Sequence, residues 1–274
     1  MRITALWRYP VKSMLGEPLE VSRVDAGGVA GDRALALVDD VTGMVATAKH
    51  PRLWRGLLRY TAASGDGGVR ITSPAGWTRD ALDPWVVDAL AGELGRRVRV
   101  ATDRPAAASV ERPDPEEVLD RGVEAEVAAP TLEIAQGTTG GSFVDHSPVH
   151  VITTATLAAT GAESLRYRPN IVVETPDGTD PWVENTWMGR ELHLTRDDGS
   201  TVTLTVSLPT PRCSVPTLEH GDLPRAPHAV REPMRANRVE VPGFGVLPCA
   251  GAYAQVTRGG ELRVGDTVTL GDAP

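Results

Sequence analysis

Apolar and polar residues alternate over short stretches along most of the chain, which is the signature of strands with one buried face. Residues 2–7, 18–24, 33–39 and 44–48 read as short strands between glycine-containing turns, the last two as arms of a hairpin around Asp39–Gly43. LLRYTAAS and VRITS read as a second hairpin flanking the turn Gly65–Gly68. Helical periodicity is clear in one place: Val86, Leu90 and Leu94 recur at four-residue spacing. Asp83 is placed to cap that helix, Pro84 fits its first turn, and Gly95 stops it before the strand-like RRVRV. Residues 101–115 are rich in Pro and Ala without apolar period and read as a linker. A short acidic helix capped by Asp114 follows, and past Gly137 the strand pattern returns in ELHLTR, TVTLTVSL, AYAQV and TVTL. The predicted fold is mainly β with a few short helices, in two β-rich lobes covering about 1–103 and 116–274.

Composition supports this picture and narrows the function. The chain has 274 residues, enough for one large or two small domains, and its 28 Gly and 22 Pro suit many turns. A net charge of −8 sets an overall field that repels nucleic acid. An anionic ligand would therefore need buried cations at one place. No run approaches the roughly 18 apolar residues that cross a bilayer, and the N-terminus lacks the apolar stretch of a signal peptide. Only Cys213 and Cys249 carry thiols, and the expected compartment is the cytoplasm, where such thiols stay reduced.

The most informative stretch for chemistry is TPRCSVPT, residues 210–217, expected as a loop off a sheet edge after a strand ending at Leu208. Arg212 beside Cys213 favours the thiolate, a soft donor suited to a soft or high-valent metal. The plainer reading is a small apolar residue that happens to be cysteine. Zinc is poorly supported, because no CxxC or HExxH occurs and Pro148 separates His146 from His150, which read as hydrogen-bonded structural residues. Three segments pair cations with polar groups in the way bound phosphate requires. These are YPVKS with Lys12 and Ser13, GDR with Arg33, and RYRPN with Arg168 and Asn170. Taken singly, each also reads as a solvated charge. GTTGGS, residues 137–142, resembles a phosphate loop only loosely.

In their order and separations these segments resemble those of MOSC proteins. The similarity lies in YPVKS (9–13), GVAGDRALALVD (28–39), SFVDHSPVHVITTATL (142–157), RYRPNIVV (166–173), PRC (211–213) and YAQVTRGGELRVGDTV (253–268). The resemblance implies a β-barrel-like MOSC fold, with an N-terminal MOSC-type β-barrel domain over 1–103 and a MOSC domain over 116–274. It implies a molybdenum–pyranopterin cofactor whose metal takes one protein thiolate, here Cys213. Lys12, Ser13 and Arg33 would hold the phosphate side of that cofactor, and Thr156, Arg168, Asn170 and Arg212 its pterin side. Relatives akin to the amidoxime-reducing component reduce N-hydroxylated small molecules with electrons from a separate flavin, haem or iron–sulfur partner. This chain departs from the family after Cys213, where SVPTLEHGDLPRAPH lacks an Asp-rich pattern. It departs again at VPGFGVLPCAGAY, where an insertion is expected to reshape the pocket mouth or bring Cys249 to it.

Three functions follow as expectations. The first is a molybdenum-dependent oxidoreductase acting on N-hydroxylated or N-oxide-type compounds. The second is a non-catalytic carrier of the cofactor, or of sulfur on Cys213. The third is a metal-free thiol enzyme pairing Cys213 with His220 or His228.

Overall fold

The computed structural model describes residues 1–272. Seven strands close into a barrel: Val149–Thr153, Ile171–Glu174, Arg2–Arg8, Thr267–Leu270, Glu191–Thr195, Thr201–Pro211 and Gly245–Arg258, the last pairing back onto the first. Every pairing is antiparallel except that of Val149–Thr153 with Ile171–Glu174. Parallel neighbours need a crossover, which the helices Thr154–Thr160 and Ser164–Tyr167 supply. Alternate side chains fill the interior, among them Val149, Val151, Leu192, Leu194, Leu204 and Ala252. Strand period two thus becomes a closed core with no free edge. Leu204 is fully buried. Leu204→Ala should therefore cost about 2–5 kcal/mol, read from the urea midpoint at constant slope.

A second core gathers Leu37, Trp54, Leu57, Ile71, Val86 and Leu90 under the strands Thr61–Gly65, Gly68–Thr72 and Thr78–Asp80 and the helix Pro84–Leu94. That helix forms as its sequence predicts: the Asp83 carboxylate accepts from Trp85 N, and Gly95 takes the left-handed cap at φ 66°. The acidic helix Pro115–Arg121 is likewise capped by Asp114. The two ends of the chain are joined by strand pairing, since Arg2–Arg8 lies in the barrel and Val21–Asp25 pairs with Gly260–Arg263.

Several local expectations are corrected. The strand predicted from residue 33 runs Ala36–Asp39, because Arg33 sits in a turn at φ 46°. Its partner is Val98–Ala101, and the arm expected at 44–48 keeps only a single bridge, Val38 to Val45. Residues 55–59 wind into a 3-10 helix, so the strand expected over LLRYTAAS is confined to Thr61–Gly65. The expected linker carries the strand Ser109–Glu111, paired with Thr131–Glu133 and packing Val110 beside Val38 and Phe143. The strand before Cys213 continues to Pro211 rather than stopping at Leu208, and it is flanked on both sides rather than lying at an edge. Prolines cannot donate to a ladder, and register shifts between Val206 and Leu208 and between Pro209 and Pro211 accommodate them.

Candidate cofactor site

A cleft with roughly 690 Å³ of atom-free space, counted out to its mouth, is lined by residues from the stretches 12–49 and 144–253. The turn after the first barrel strand brings Lys12 and Ser13, and the turn before Ala36–Asp39 brings Arg33. The loop ahead of the helix Pro51–Trp54 adds Lys49, and the loop ahead of Val149–Thr153 adds Asp145. Arg168 and Asn170 follow the helix Ser164–Tyr167, and Arg212 and Cys213 follow the proline-bent strand.

The electrostatics of this cleft oppose those of the whole chain. Lys12, Arg33, Lys49, Arg166, Arg168 and Arg212 line it, with Asp145 as the lining carboxylate. Asp145 accepts from Lys12 Nζ at 2.6 Å and lies 3.0 Å from Lys49 Nζ. Burial would raise its pKa, but the two lysines hold it well below the usual carboxylate range. Arg33 Nη1 donates to Asp32 Oδ2 at 2.5 Å, and its Nη2 donates to the Arg168 carbonyl at 3.0 Å. The guanidinium groups of Arg33 and Arg168 both sit over the Tyr9 ring, 4.5 and 4.4 Å from its centroid. Burial, followed by the charge of Arg33, lowers the Arg168 pKa to about 10. Arg168 Nη1 donates to Met14 O at 2.7 Å, whereas its Nη2 is buried with no partner. Arg212 Nε is also buried without a partner. Buried, unmatched guanidinium donors are costly unless an acceptor arrives, and a bound anion supplies one.

The backbone carries the same message. Six non-glycine residues among those described have positive φ, and Ser13, Arg33 and Arg168 are three of them, at 66°, 46° and 55°. Arg168 also precedes Pro169, which disfavours helical conformations in the residue before it. Left-handed backbone costs of order 1–3 kcal/mol per residue and clusters at ligand clamps. Here it turns Ser13, Arg33 and Arg168 onto one cavity.

Of the residues predicted for the site, Lys12, Ser13, Arg33, Arg168, Asn170, Arg212 and Cys213 line this cleft. Asn170, however, spends its amide on the scaffold: Oδ1 accepts from His150 N at 3.1 Å and Nδ2 donates to Trp7 O at 3.4 Å. Thr156 is the exception. It is fully buried, donates to Glu184 Oε2 at 2.6 Å and accepts from Trp182 N at 2.9 Å, so it braces the crossover rather than the cleft. Residues 137–142 also lie off the cleft wall. Arg166 lines the cleft but pins the chain after Cys213, donating to Leu218 O at 2.9 Å and Pro224 O at 2.8 Å.

Sequence reasoning missed Lys49, Asp145, Tyr253 and the role of His150. Asp145 stood inside the SFVDHSPVH segment, and Tyr253 inside YAQV, but neither pattern reveals the lysine pair or the ring stacking around them. The His150 ring lies in the cleft wall with its Nε2 buried. Burial, then Arg212 and Arg33, holds its pKa well below the ordinary value, so the ring is neutral at pH 7. Gly251 at φ 79° makes room for it, since a Cβ there would sit 2.6 Å from His150 Nε2. His146 does bond as expected, to Ser147 Oγ at 2.9 Å.

Cys213 is half-buried and free, and Cys249 is free and fully buried on the strand beside Pro211. Burial pushes the Cys249 thiol up to about 12, and the residue lines neither cavity at Cys213, so the insertion does not deliver it there. His220 bonds to Leu218 O and His228 to Gly161 O, and neither lines a cavity with Cys213.

Burial lowers the Lys12 pKa to about 8, against the opposing pull of Asp145. A bound anion favours the charged lysine, which predominates below that pH. Sulfate, whose charge is constant in this range, should therefore bind progressively more weakly as pH rises from 7 to 9. Its affinity should approach a tenfold loss per unit above the lysine pKa. A flat calorimetric profile would show that Lys12 does not face the anion.

The cleft suits one further component. Among the described residues no cluster of three or more His, Cys, Asp and Glu side chains could hold a metal. A metal at Cys213 would therefore bring most of its donors with it, and an anionic cofactor matches the surrounding cations. No helix among the described residues is long and apolar enough to cross a membrane.

Known proteins give the same frame. The profile of the MOSC domain matches residues 139–269, and that of the MOSC N-terminal beta barrel domain matches residues 1–86. MOSC domains are associated with molybdenum-cofactor-binding and sulfurase-like proteins. No curated protein matches the chain significantly. Among solved structures, YuaD from Bacillus subtilis aligns at 9% identity over 100% of this chain and 96% of its own, with a TM-score of 0.43. YiiM from Geobacillus stearothermophilus aligns at 13% identity over 62% of this chain and 75% of its own, with a TM-score of 0.32. With both profiles matched in order along one chain that folds as a closed β-barrel, the protein belongs to the MOSC domain family and carries that family's N-terminal β-barrel domain.

Proposed function

We propose that the protein is a cytoplasmic molybdenum-cofactor oxidoreductase that reduces N-hydroxylated or N-oxide-type small molecules. The observation that carries this reading is the placement of Cys213 at the wall of a cleft lined by six cations, with Arg168 Nη2 and Arg212 Nε buried and unpartnered. In this reading Lys12, Ser13, Arg33 and Lys49 hold the cofactor's phosphate, Arg168 and Arg212 its pterin, and Cys213 ligates the metal. The cofactor supplies two-electron redox chemistry, while the protein orients and insulates it. For a hydroxylamine, the N–O bond breaks, two electrons and two protons are taken up, and an amine and water are released. The electrons come from a separate flavin, haem or iron–sulfur protein.

A carrier would need the cofactor cleft alone. A second cavity at Cys213, lined partly by apolar and aromatic side chains, favours turnover over carriage. Protein produced in a host that makes the cofactor should contain about one molybdenum per chain and a releasable pterin. A metal-free, pterin-free product from that host overturns the proposal.

A further inference from the structure

Cys213 stands between two cavities. The second holds roughly 530 Å³ of atom-free space and shares Lys49, Asp145, Arg212, Cys213 and Tyr253 with the cationic cleft. Its chemistry differs from that of its neighbour. His146 stacks on Tyr253 with centroids 5.5 Å apart, and Phe244 meets His146 edge-on at 5.8 Å. Burial lowers the His146 pKa, so its ring is neutral at pH 7 and completes an uncharged aromatic wall. Leu132 and Val241 extend the apolar surface.

Two guanidinium groups in this cavity have no ion pair among the described residues: Arg212, whose Nη1 donates to Tyr167 O at 3.5 Å, and Arg112. Arg112 lines it half-buried, positioned by its backbone N–H, which donates to Pro130 O at 3.0 Å. Among the described residues its guanidinium makes no ion pair or hydrogen bond, unlike Arg33 and Arg168 next door. The two acidic residues of the cavity do not neutralise it: Asp145 is held by two lysines, and Glu133 is exposed. An aromatic wall with a guanidinium free of both ion pair and hydrogen bond is complementary to a flat ring bearing a carboxylate.

We infer that this second cavity is the substrate pocket and that it selects a planar aromatic compound carrying a carboxylate, with Phe244, His146 and Tyr253 packing the ring and Arg112 pairing with the carboxylate. The inference rests on the proposed function for the identity of the reacting group, which would lie toward Cys213.

The test uses 4-carboxybenzamidoxime and its neutral isostere 4-carbamoylbenzamidoxime, titrated calorimetrically into the full-length protein with its molybdenum content measured. The carboxylate should bind about tenfold more tightly. Arg112→Gln should abolish that preference, Arg112→Lys should restore part of it, and Phe244→Ala should weaken both compounds about tenfold while leaving the ratio intact. Equal affinities in the wild type, or a preference that survives Arg112→Gln, would overturn the inference. Molybdenum-loaded protein without the preference sinks this inference and leaves the cofactor reading standing. Metal-free protein from the cofactor-producing host that still shows the preference upholds the pocket and sinks the cofactor reading.

Discussion

Cys213→Ala, produced in a host that makes the cofactor, is expected to carry less than about a tenth of the wild-type molybdenum and to show no reductase turnover. Loss of an outer partner of a metal ligand already costs roughly 10–100-fold in metal affinity or activity, and loss of the ligand itself costs at least as much. The rest of the cleft offers no replacement, because no cluster of three or more candidate ligands exists among the described residues. Cys249, the other thiol, is buried, and burial keeps it protonated at neutral pH. The fold should be indifferent to the change: Cys213 is half-buried and makes only peripheral contact with a small core around Ala48, Leu58, Val215 and Leu218. Sulfate binding in the cationic cleft should also persist, which separates lost ligation from a collapsed site. Stoichiometric metal in Cys213→Ala, measured by elemental analysis, would refute the ligand role.

Arg168→Gly is expected to weaken cofactor or sulfate binding by roughly 30- to 5,000-fold, the range for truncating one partner of a buried charge pair. Its effect on the stability of the unliganded fold should stay within about 1 kcal/mol, because several opposing changes accompany it. The variant loses the 2.7 Å bond to Met14 O and the packing over Tyr9. It also removes a left-handed non-glycine residue at φ 55°, a conformation glycine adopts freely. The like-charge contact with Arg33 disappears as well, together with a buried donor that has no partner. A residue whose removal costs the fold little and the ligand much is maintained for binding. Thermal unfolding without ligand and calorimetry with sulfate measure the two quantities separately. A large loss of stability with affinity unchanged would assign Arg168 a structural role instead.

The sequence and the structure agree where the controlling interactions are local. Asp83, Pro84 and Gly95 delimit a helix through caps that need only a few neighbouring residues, and the helix forms between them. Period-two stretches such as Leu192–Leu194 and Val202–Leu204 become barrel strands because one face is buried. Disagreement appears where distant partners compete. Thr156 reads as a polar residue near the site, but Glu184, 28 positions later, takes its hydroxyl into the crossover. The segment 101–115 has a linker's composition, yet Val110 has apolar partners in Val38 and Phe143 that no local pattern announces. Lys49 and Asp145 are ordinary charges until folding puts them 3.0 Å apart.

By itself the sequence determined a β-rich chain with one well-capped helix, a thiol beside an arginine, and separated basic segments in the order of the MOSC family. Alternation, capping and residue chemistry act over a few residues and survive in a linear reading. Tertiary structure decided how the barrel closes, through the pairing of Val149–Thr153 with Gly245–Arg258 across about a hundred residues of chain. It also decided which cations face one another and which guanidinium donors remain unmatched. The left-handed backbone at Ser13, Arg33 and Arg168 belongs to the same class, because no short-range preference produces it. Such strain persists only where packed surroundings over-determine it, and those surroundings exist only in the folded chain.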